Sequence, residues 1–444
     1  MAWNGSGTFN LNPTYSPEVN GTTIDAVRYN GLLTDVAAGI TACLAKNGEN
    51  VPTANLPMGG FKITGLGAPT ANGDALAYGS PMGAISGTTG TFSGAVSGTT
   101  GTFSGNVQMA SANGGQLAGL RNKIINGDMN ISQRGTSFAA IANAAYSLDR
   151  WQTGNSSSAV ITVSQQADVP SSNEFQNSLR YTITTADTVI ATSDHALVQQ
   201  QIEGYNVRNL IGKTFTLSFW VRSSKTGIHC FSMGNSGNDR QYVSEYTISA
   251  ANTWEYKTIT IAGGLITAGT WNWTTGTGVT ARWALAAGST YQTATVGSWI
   301  AGTNLFATSN QVNCLDTISN IFAITGVQFE PGPVATPFEQ RPIGMELALC
   351  QRYFELVNYP SFYVPNTTAT TMYVPVFYKV TKRATPTSVV LPSSTNAGFN
   401  SSGATITPTT WTTNSISVDS VSINIGNASL GGVASSSLTV SSEL

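Results

Sequence analysis

The sequence predicts a mainly β protein: a short N-terminal helical region, a Gly/Thr repeat shaft, a jelly-roll β-sandwich and a small C-terminal β-domain, assembled as an elongated homotrimer. Three observations lead there. Only 9% of the 444 residues are charged and 46 are glycine, yet 41% are hydrophobic, so the chain is polar and uncharged but has enough apolar residues to fill cores. Apolar and polar residues alternate with period two in several segments of 122–338. Immediately before that region, an 11-residue unit occurs twice in tandem.

Residues 1–80 contain the one convincing helical pattern. Thr23 is a candidate N-cap, Ala26, Tyr29, Leu33, Val36, Ile40 and Cys43 recur at three- and four-residue spacing, and Asn47-Gly48 ends the run. The resulting apolar seam either packs on its own domain or forms a short coiled coil among identical chains. Residues 81–121 hold the repeat, Ser86-Gly-Thr-Thr-Gly-Thr-Phe-Ser-Gly-Ala-Val96 followed by Ser97-Gly-Thr-Thr-Gly-Thr-Phe-Ser-Gly-Asn-Val107. A flexible linker would not need a phased phenylalanine. One unit has too little to bury to offset its ordering entropy, so the pattern suggests stacking of Phe92, Val96, Phe103 and Val107 between three chains. With Leu33, Val36 and Ile40, these are the expected trimer contacts.

Residues 122–342 form the predicted sandwich. Thr214 to Arg222 alternates cleanly, with Phe215, Leu217, Phe219 and Val221 on one face and Thr216, Ser218, Trp220 and Arg222 on the other. Further strands are expected at 159–163, 179–183, 196–202, 254–261 and 321–329, and Pro331-Gly-Pro333 with Pro337 closes the domain. Residues 343–444 begin with a helix expected over Ile343–Phe354. A small β-domain follows: from Ala384 onward only Asp419 and Glu443 are charged, and Ile416, Val418, Val421, Ile423 and Ile425 mark strands.

A formal net charge of -2 argues against nucleic acid or an anionic membrane as partner. No apolar run is long enough to insert in a membrane, and the N-terminus lacks the pattern of a secretory signal, so synthesis in a cytosol is expected. Cys43, Cys230, Cys314 and Cys350 are too widely spaced for a disulfide framework or a thiol metal site and are expected as free buried thiols; no cofactor or metal is expected.

The chain does not read as an enzyme. His195 and His229 are its two histidines, and Asp194 next to His195 points to the opposite face of a strand, so the pair is no fragment of a triad. Gly234-Asn-Ser-Gly237 falls short of a nucleophile elbow, and no phosphate-cradling glycine pattern is present. Two carboxylates suffice for glycoside hydrolysis, so the 13 acids from Asp128 to Glu339 leave that chemistry open.

Binding has better candidates. Trp271 and Trp273 place two indoles on one side of a strand or loop edge, where they either pack in the core or face sugar rings. Gln199, Gln201 and Glu203 share one face of a strand, and Trp220 and Arg222 share the polar face of another. If those strands were neighbours, their amides and guanidinium would make a polar floor for a hydroxyl-rich ligand; the alternative is a solvated sheet face.

Several of these runs carry a resemblance. Asn122-Lys-Ile-Ile-Asn-Gly-Asp-Met129 with Gln133-Arg134, Tyr146-Ser-Leu-Asp-Arg-Trp151, Phe215 to Ser223 and Ile324 to Gly332 resemble the sandwich found in many bacteriophage tail fibre proteins. Thr336 to Pro342 and Glu346 to Glu355 resemble the segment that follows it there, Asn55 to Thr64 the N-terminal virion-attachment region, and Arg383 to Thr387 the opening of a terminal β-domain. The resemblance implies a homotrimeric virion protein of the tail, assembled in the bacterial host cytoplasm. It would be attached through its N-terminal region to other phage tail or virion proteins and carry a sandwich similar to carbohydrate-binding modules. The implied partner is host surface polysaccharide or lipopolysaccharide. In such modules Asn-Gly-Asp is often followed by Phe-Glu, whose Glu can serve a structural calcium; Met129 and Asn130 depart from that pattern. The alternatives are a tail-borne polysaccharide depolymerase and a structural tail or head appendage carrying another adhesin.

Overall fold

The computed structural model describes residues 2–3, 9–10, 25–41, 119–170, 174–359, 362–363, 371–391, 398–399, 405–406, 410–426, 432–433 and 436–444. The chain divides into two compact units, Met1–Ser104 and Gly105–Leu444.

In the first unit, helix α1 spans Ala26–Thr41 and Ala2–Trp3 pairs antiparallel with Phe9–Asn10. The N-terminal turn is capped by Asp25, whose Oδ1 accepts from the Val27 amide at 2.8 Å. Thr23, the expected cap, lies outside the described residues, as do Phe92, Val96, Phe103, Val107 and the side chain of Ile40. Tyr29 and Leu33 are exposed on α1 and Val36 is half-buried.

The second unit is built on two six-stranded antiparallel sheets packed face to face. Its strands are β1 (Ser137–Phe138), β2 (Gln152–Asn155), β3 (Val160–Gln166), β4 (Ser178–Thr185), β5 (His195–Glu203), β6 (Phe215–Ser223), β7 (Gly227–Asn235), β8 (Arg240–Ile248), β9 (Glu255–Ile261), β10 (Thr277–Ala287), β11 (Trp299–Ala301) and β12 (Ile321–Pro331). The front sheet has the order β11-β8-β7-β10-β5-β2 and the back sheet β9-β6-β12-β4-β3-β1, so the chain passes repeatedly from one sheet to the other, jelly-roll fashion. Between β5 and β6 lies the short helix α2 (Gly204–Val207).

The inner faces supply one apolar core. Phe215, Leu217, Phe219 and Val221 of β6 meet Ile202, Val198, Trp283 and Phe231 of the front sheet. Trp283 is its hub, with ring centroids 5.7 Å from Trp151, 5.7 Å from Phe219 and 5.1 Å from Phe231. β7 and β10 are buried on both faces, because Tyr291 and the segment around Leu305, Phe306 and Ala307 cover part of the front sheet's outer side. Their lack of alternation follows from that cover.

Helix α3 covers Ile343–Gln351, shorter than expected, since Phe354 opens the strand Phe354–Tyr359. That strand pairs with Ser436–Ser441, while Thr371–Phe377 and Thr410–Ile416 both pair with Ser420–Gly426. Val421, Ile423 and Ile425 enter a second core with Val374, Val376, Leu438 and Val440, whereas Val418 lies in the turn between Thr410–Ile416 and Ser420–Gly426. Lys382 and Glu355, both fully buried, pair at 2.5 Å, and Lys382 Nζ also donates to the Gln351 carbonyl at 2.6 Å.

The C-terminal end is clasped to the sandwich. Glu443 pairs with Arg150 and, at 2.9 Å, with Arg134. Tyr146 Oη donates to the Leu444 carbonyl at 2.9 Å, and the guanidiniums of Arg150 and Arg134 lie 3.6 Å over the rings of Tyr353 and Phe354. The runs 122–129 and 146–151 meet at the same place: Asn126 Nδ2 donates to the carbonyls of Ile131 and Asp149, and Trp151 Nε1 to that of Asn126.

Cys230, Cys314 and Cys350 are free and buried, and Cys43 lies outside the described residues. His229 is a core residue, stacked between Tyr246 and Phe322, with Nε2 3.1 Å from the Lys225 carbonyl. Burial lowers its pKa from 6.5 to about 4. Between those values the unfolded chain binds a proton that the native chain refuses, so stability falls as pH drops from 6.5 to 4. The expected contribution is about 3 kcal/mol. Denaturant titrations across this range should show a steeper decline for the wild type than for His229→Phe; parallel curves would show that the native imidazole titrates normally.

Candidate functional site

Alternation along β5 turns Ala196, Val198, Gln200 and Ile202 toward the core side, leaving Leu197, Gln199, Gln201 and Glu203 on the outer face of the front sheet. The register aligns Gln199 with Gln152 of β2 on one side and Arg282 of β10 on the other; Arg282 stands opposite Ser232 of β7, and Gly234 opposite Gln241 of β8. Side chains link across these strands. Gln152 Oε1 accepts from Gln199 Nε2 at 2.5 Å and from Gln201 Nε2 at 3.3 Å, and Thr277 Oγ1 donates to Gln201 Oε1 at 2.8 Å. Arg282 donates through Nε to Gln199 Oε1 and through Nη1 to Gln241 Oε1, both at 3.3 Å. Gln241 Nε2 then reaches Asn238 Oδ1 at 2.7 Å, and Asn238 bonds Asn304. The outcome is a row of amides and one guanidinium crossing the sheet.

Gly234 makes the row possible. A Cβ there would collide with Arg282 Nη1 and come within 2.7 Å of Gln241 Oε1, so the missing side chain leaves the space in which the guanidinium lies. Phe306 closes one side, its ring centroid 5.2 Å from Arg282 Cζ, and it stacks on Tyr291 and packs against His195. Gln199, Gln201 and Thr277 remain half-exposed.

Glu203 shares this face but serves another purpose. It is 2% exposed and bound by Arg352 at 2.7 and 3.0 Å and by Tyr353 Oη at 2.7 Å, so it anchors the segment after α3 and is not open to a ligand. Trp220 and Arg222 lie elsewhere. They project from the outer face of the back sheet, so the two strands are not neighbours and no floor joins these residues to Gln199 and Gln201. Trp220 packs on Tyr256, and Arg222 pairs with Asp168.

Trp271 and Trp273 stack on each other, with ring centroids 4.8 Å apart and planes within 7°, and Trp271 meets Trp299 edge-on at 5.6 Å. Both are half-buried against the main core, so one face of each indole is already occupied. Their loop is tied at both ends. Asp239 accepts from the Thr270 amide and hydroxyl, and the Gly204 and Tyr205 amides donate to the carbonyls of Gly276 and Thr274.

A polar cleft of 340 Å³ opens beyond the C-terminal end of β10, lined by Thr188, Thr192, Ser289, Gln292, Gln311 and Asn313 among others. His195 Nδ1 lies 2.8 Å from Ser156 Oγ, which also accepts from the His195 amide at 2.9 Å, holding the ring against Tyr291. Among the described residues no group of three or more His, Cys, Asp and Glu could hold a metal ion.

Sequence reading did not find Arg282, Gln152 or Gln241. One signal for the first was available: a lone arginine inside the uncharged run Val279-Thr-Ala-Arg-Trp-Ala-Leu285 is out of place unless it has a task.

No protein-family model matches the chain, and no curated protein matches it by sequence. Among solved structures it is similar to the enzymatically active domain of tailspike protein 4 from bacteriophage CBA120, at 15% identity and a TM-score of 0.24 over 44% of this chain and 21% of that one. It therefore spans about a fifth of the tailspike chain. It is also similar to the family 11 carbohydrate-binding module of Clostridium thermocellum in complex with a β-1,3-1,4-mixed-linked tetrasaccharide, at 10% identity and a TM-score of 0.26 over 45% and 98% of the two chains. A sugar binding protein from Bacteroides thetaiotaomicron VPI-5482, described as putative, matches at 11% identity and a TM-score of 0.26 over 48% and 100%.

Gly234→Val should destabilise the sandwich by about 1–3 kcal/mol, because the new methyls must displace the Arg282 guanidinium or bend β7. Denaturant unfolding reads this directly; an unchanged midpoint would mean that the row can move aside freely.

Proposed function

We propose that this chain is a bacteriophage tail fibre protein that binds host surface glycans without cleaving them, attached to the virion through its N-terminal region and acting as a homotrimer. The observation that carries the reading is the amide and guanidinium row on the outer face of the front sheet. Sugar hydroxyls both donate and accept, and the half-exposed Gln199, Gln201 and Thr277 at the open end of the row present amide and hydroxyl groups of both kinds at strand spacing. Each such bond replaces one already made to water, so one copy binds weakly and adhesion comes from several copies acting together. The viral part of the reading rests on the resemblance of the 122–129, 146–151, 324–332 and 336–355 runs to tail fibre proteins.

Binding rather than hydrolysis is favoured because the carboxylates near the row are committed to other partners. Glu203 is held by Arg352, Asp239 by Asn235 and Thr270, and Glu245 by Thr308 and Asn310. A glycosidase needs one carboxyl free to protonate the leaving oxygen and a second opposite it.

Gln199→Leu with Gln201→Leu should lower binding to host cells at least tenfold while the variant stays folded at the assay temperature, with some loss of melting temperature because Arg282 and Gln152 lose partners. Equal binding by the folded variant would remove the site, and new reducing ends released from host capsule or lipopolysaccharide by the wild type would replace binding with hydrolysis. Light scattering of the intact chain should return three chain masses; one or two would end the trimer proposal.

A further inference from the structure

Arg282 is 8% exposed and has no ion pair among the described residues. That is an unusual state for a charge. Arg150 and Arg341 are also buried, and each has a carboxylate against it. Arg282 has two amide oxygens at 3.3 Å and an aromatic ring at 5.2 Å, and these dipoles offset only part of the desolvation cost of a guanidinium. Directly opposite it in the register, the Ser232 hydroxyl is completely buried and has no hydrogen-bond partner among the described residues. A guanidinium without a carboxylate and a hydroxyl without a hydrogen-bond partner therefore sit side by side in the middle of the row.

Burial lowers the Arg282 pKa only to about 10, so the group stays cationic at neutral pH. Burial and then the Arg282 charge hold the His195 imidazole below its ordinary range, so that charge is felt at a neighbouring ring. Glu203, Asp239 and Glu245 on the surrounding elements are engaged as described above, and Asp194, beside His195, accepts from the Ala191 amide.

We propose that Arg282 selects for an acidic glycan, the carboxylate of a uronic acid unit completing the missing ion pair while Gln199 and Gln201 take the hydroxyls of the same or the adjoining sugar. This rests on the glycan-binding reading of the same face. A carboxylate suits the position because its two oxygens can accept from the guanidinium.

The test measures the full-length chain against immobilised polygalacturonate, alginate and hyaluronate and against the carboxyl-reduced form of each. At least one acidic polymer should bind at least tenfold more tightly than its reduced form, the gap should narrow as salt is raised, and Arg282→Gln should close it by weakening binding to the acidic polymer more than to its reduced form. Equal binding of acidic and reduced forms by the wild type would overturn the selectivity and leave glycan binding standing. Absence of binding to all six would overturn the uronic acid proposal, while the glycan-binding reading stands or falls with the host-cell assay of the Gln199→Leu, Gln201→Leu variant. The wild-type comparison decides the matter even if Arg282→Gln fails to fold, and Arg282→Lys, which keeps the charge without the planar fork, should retain only part of the preference.

Discussion

The guanidinium of Arg150 sits where the sandwich meets the C-terminal strands, almost wholly out of water. It is paired with Glu443, donates to the Gln201 carbonyl and lies flat on Tyr353. Leaving such a group without a partner costs about 3–5 kcal/mol, so the end of the chain is bound into the fold of a domain that begins some three hundred residues earlier. Arg134 and Arg383 converge on the same terminal residues. The Gln201 carbonyl belongs to the strand that carries the row, so the clasp and the candidate site share one strand. Glu203, two residues further along, repeats the arrangement with Arg352 and Tyr353.

Against that background the outer face of the front sheet is divided. Toward His195 it is roofed by Phe306 and Tyr291 over Ala284 and Ala287; toward Gln201 it stays half-open. Arg282 lies on the line between the two regions. An apolar roof lowers the local dielectric and strengthens any charge interaction made at its edge, which is a useful setting for a single cation intended to meet an anion. The back sheet lacks that division. Gln328 is tied down by Glu330, Thr336 and Glu339, and Arg222 is neutralised by Asp168.

Strands whose sequence alternates were legible: β4, β5, β6, β9 and β12 fall within a few residues of where alternation puts them, although β12 is buried along its whole interior. β7 and β10 were not, because under their cover the outer face carries apolar residues such as Cys230, Ala284 and Ala287, which break the alternation. The faces of Gln199, Gln201, Trp220 and Arg222 could be assigned locally, but whether the two strands are neighbours could not, and they lie in different sheets. Glu203 looked like a ligand contact because nothing within its strand shows that its partners lie at residues 352 and 353.

The sequence by itself therefore determined the class of the protein, the apolar face of most sandwich strands and the uncharged, hydroxyl- and amide-rich character of its surface. These follow from local backbone geometry, in which side chains alternate with a period of two wherever the chain is extended. The tertiary structure alone decided which strands are neighbours, that Trp271 and Trp273 spend a face on each other, and that Arg282 is buried without a carboxylate. Strand pairing and desolvation are set by groups far away in the chain, and no window of sequence contains them.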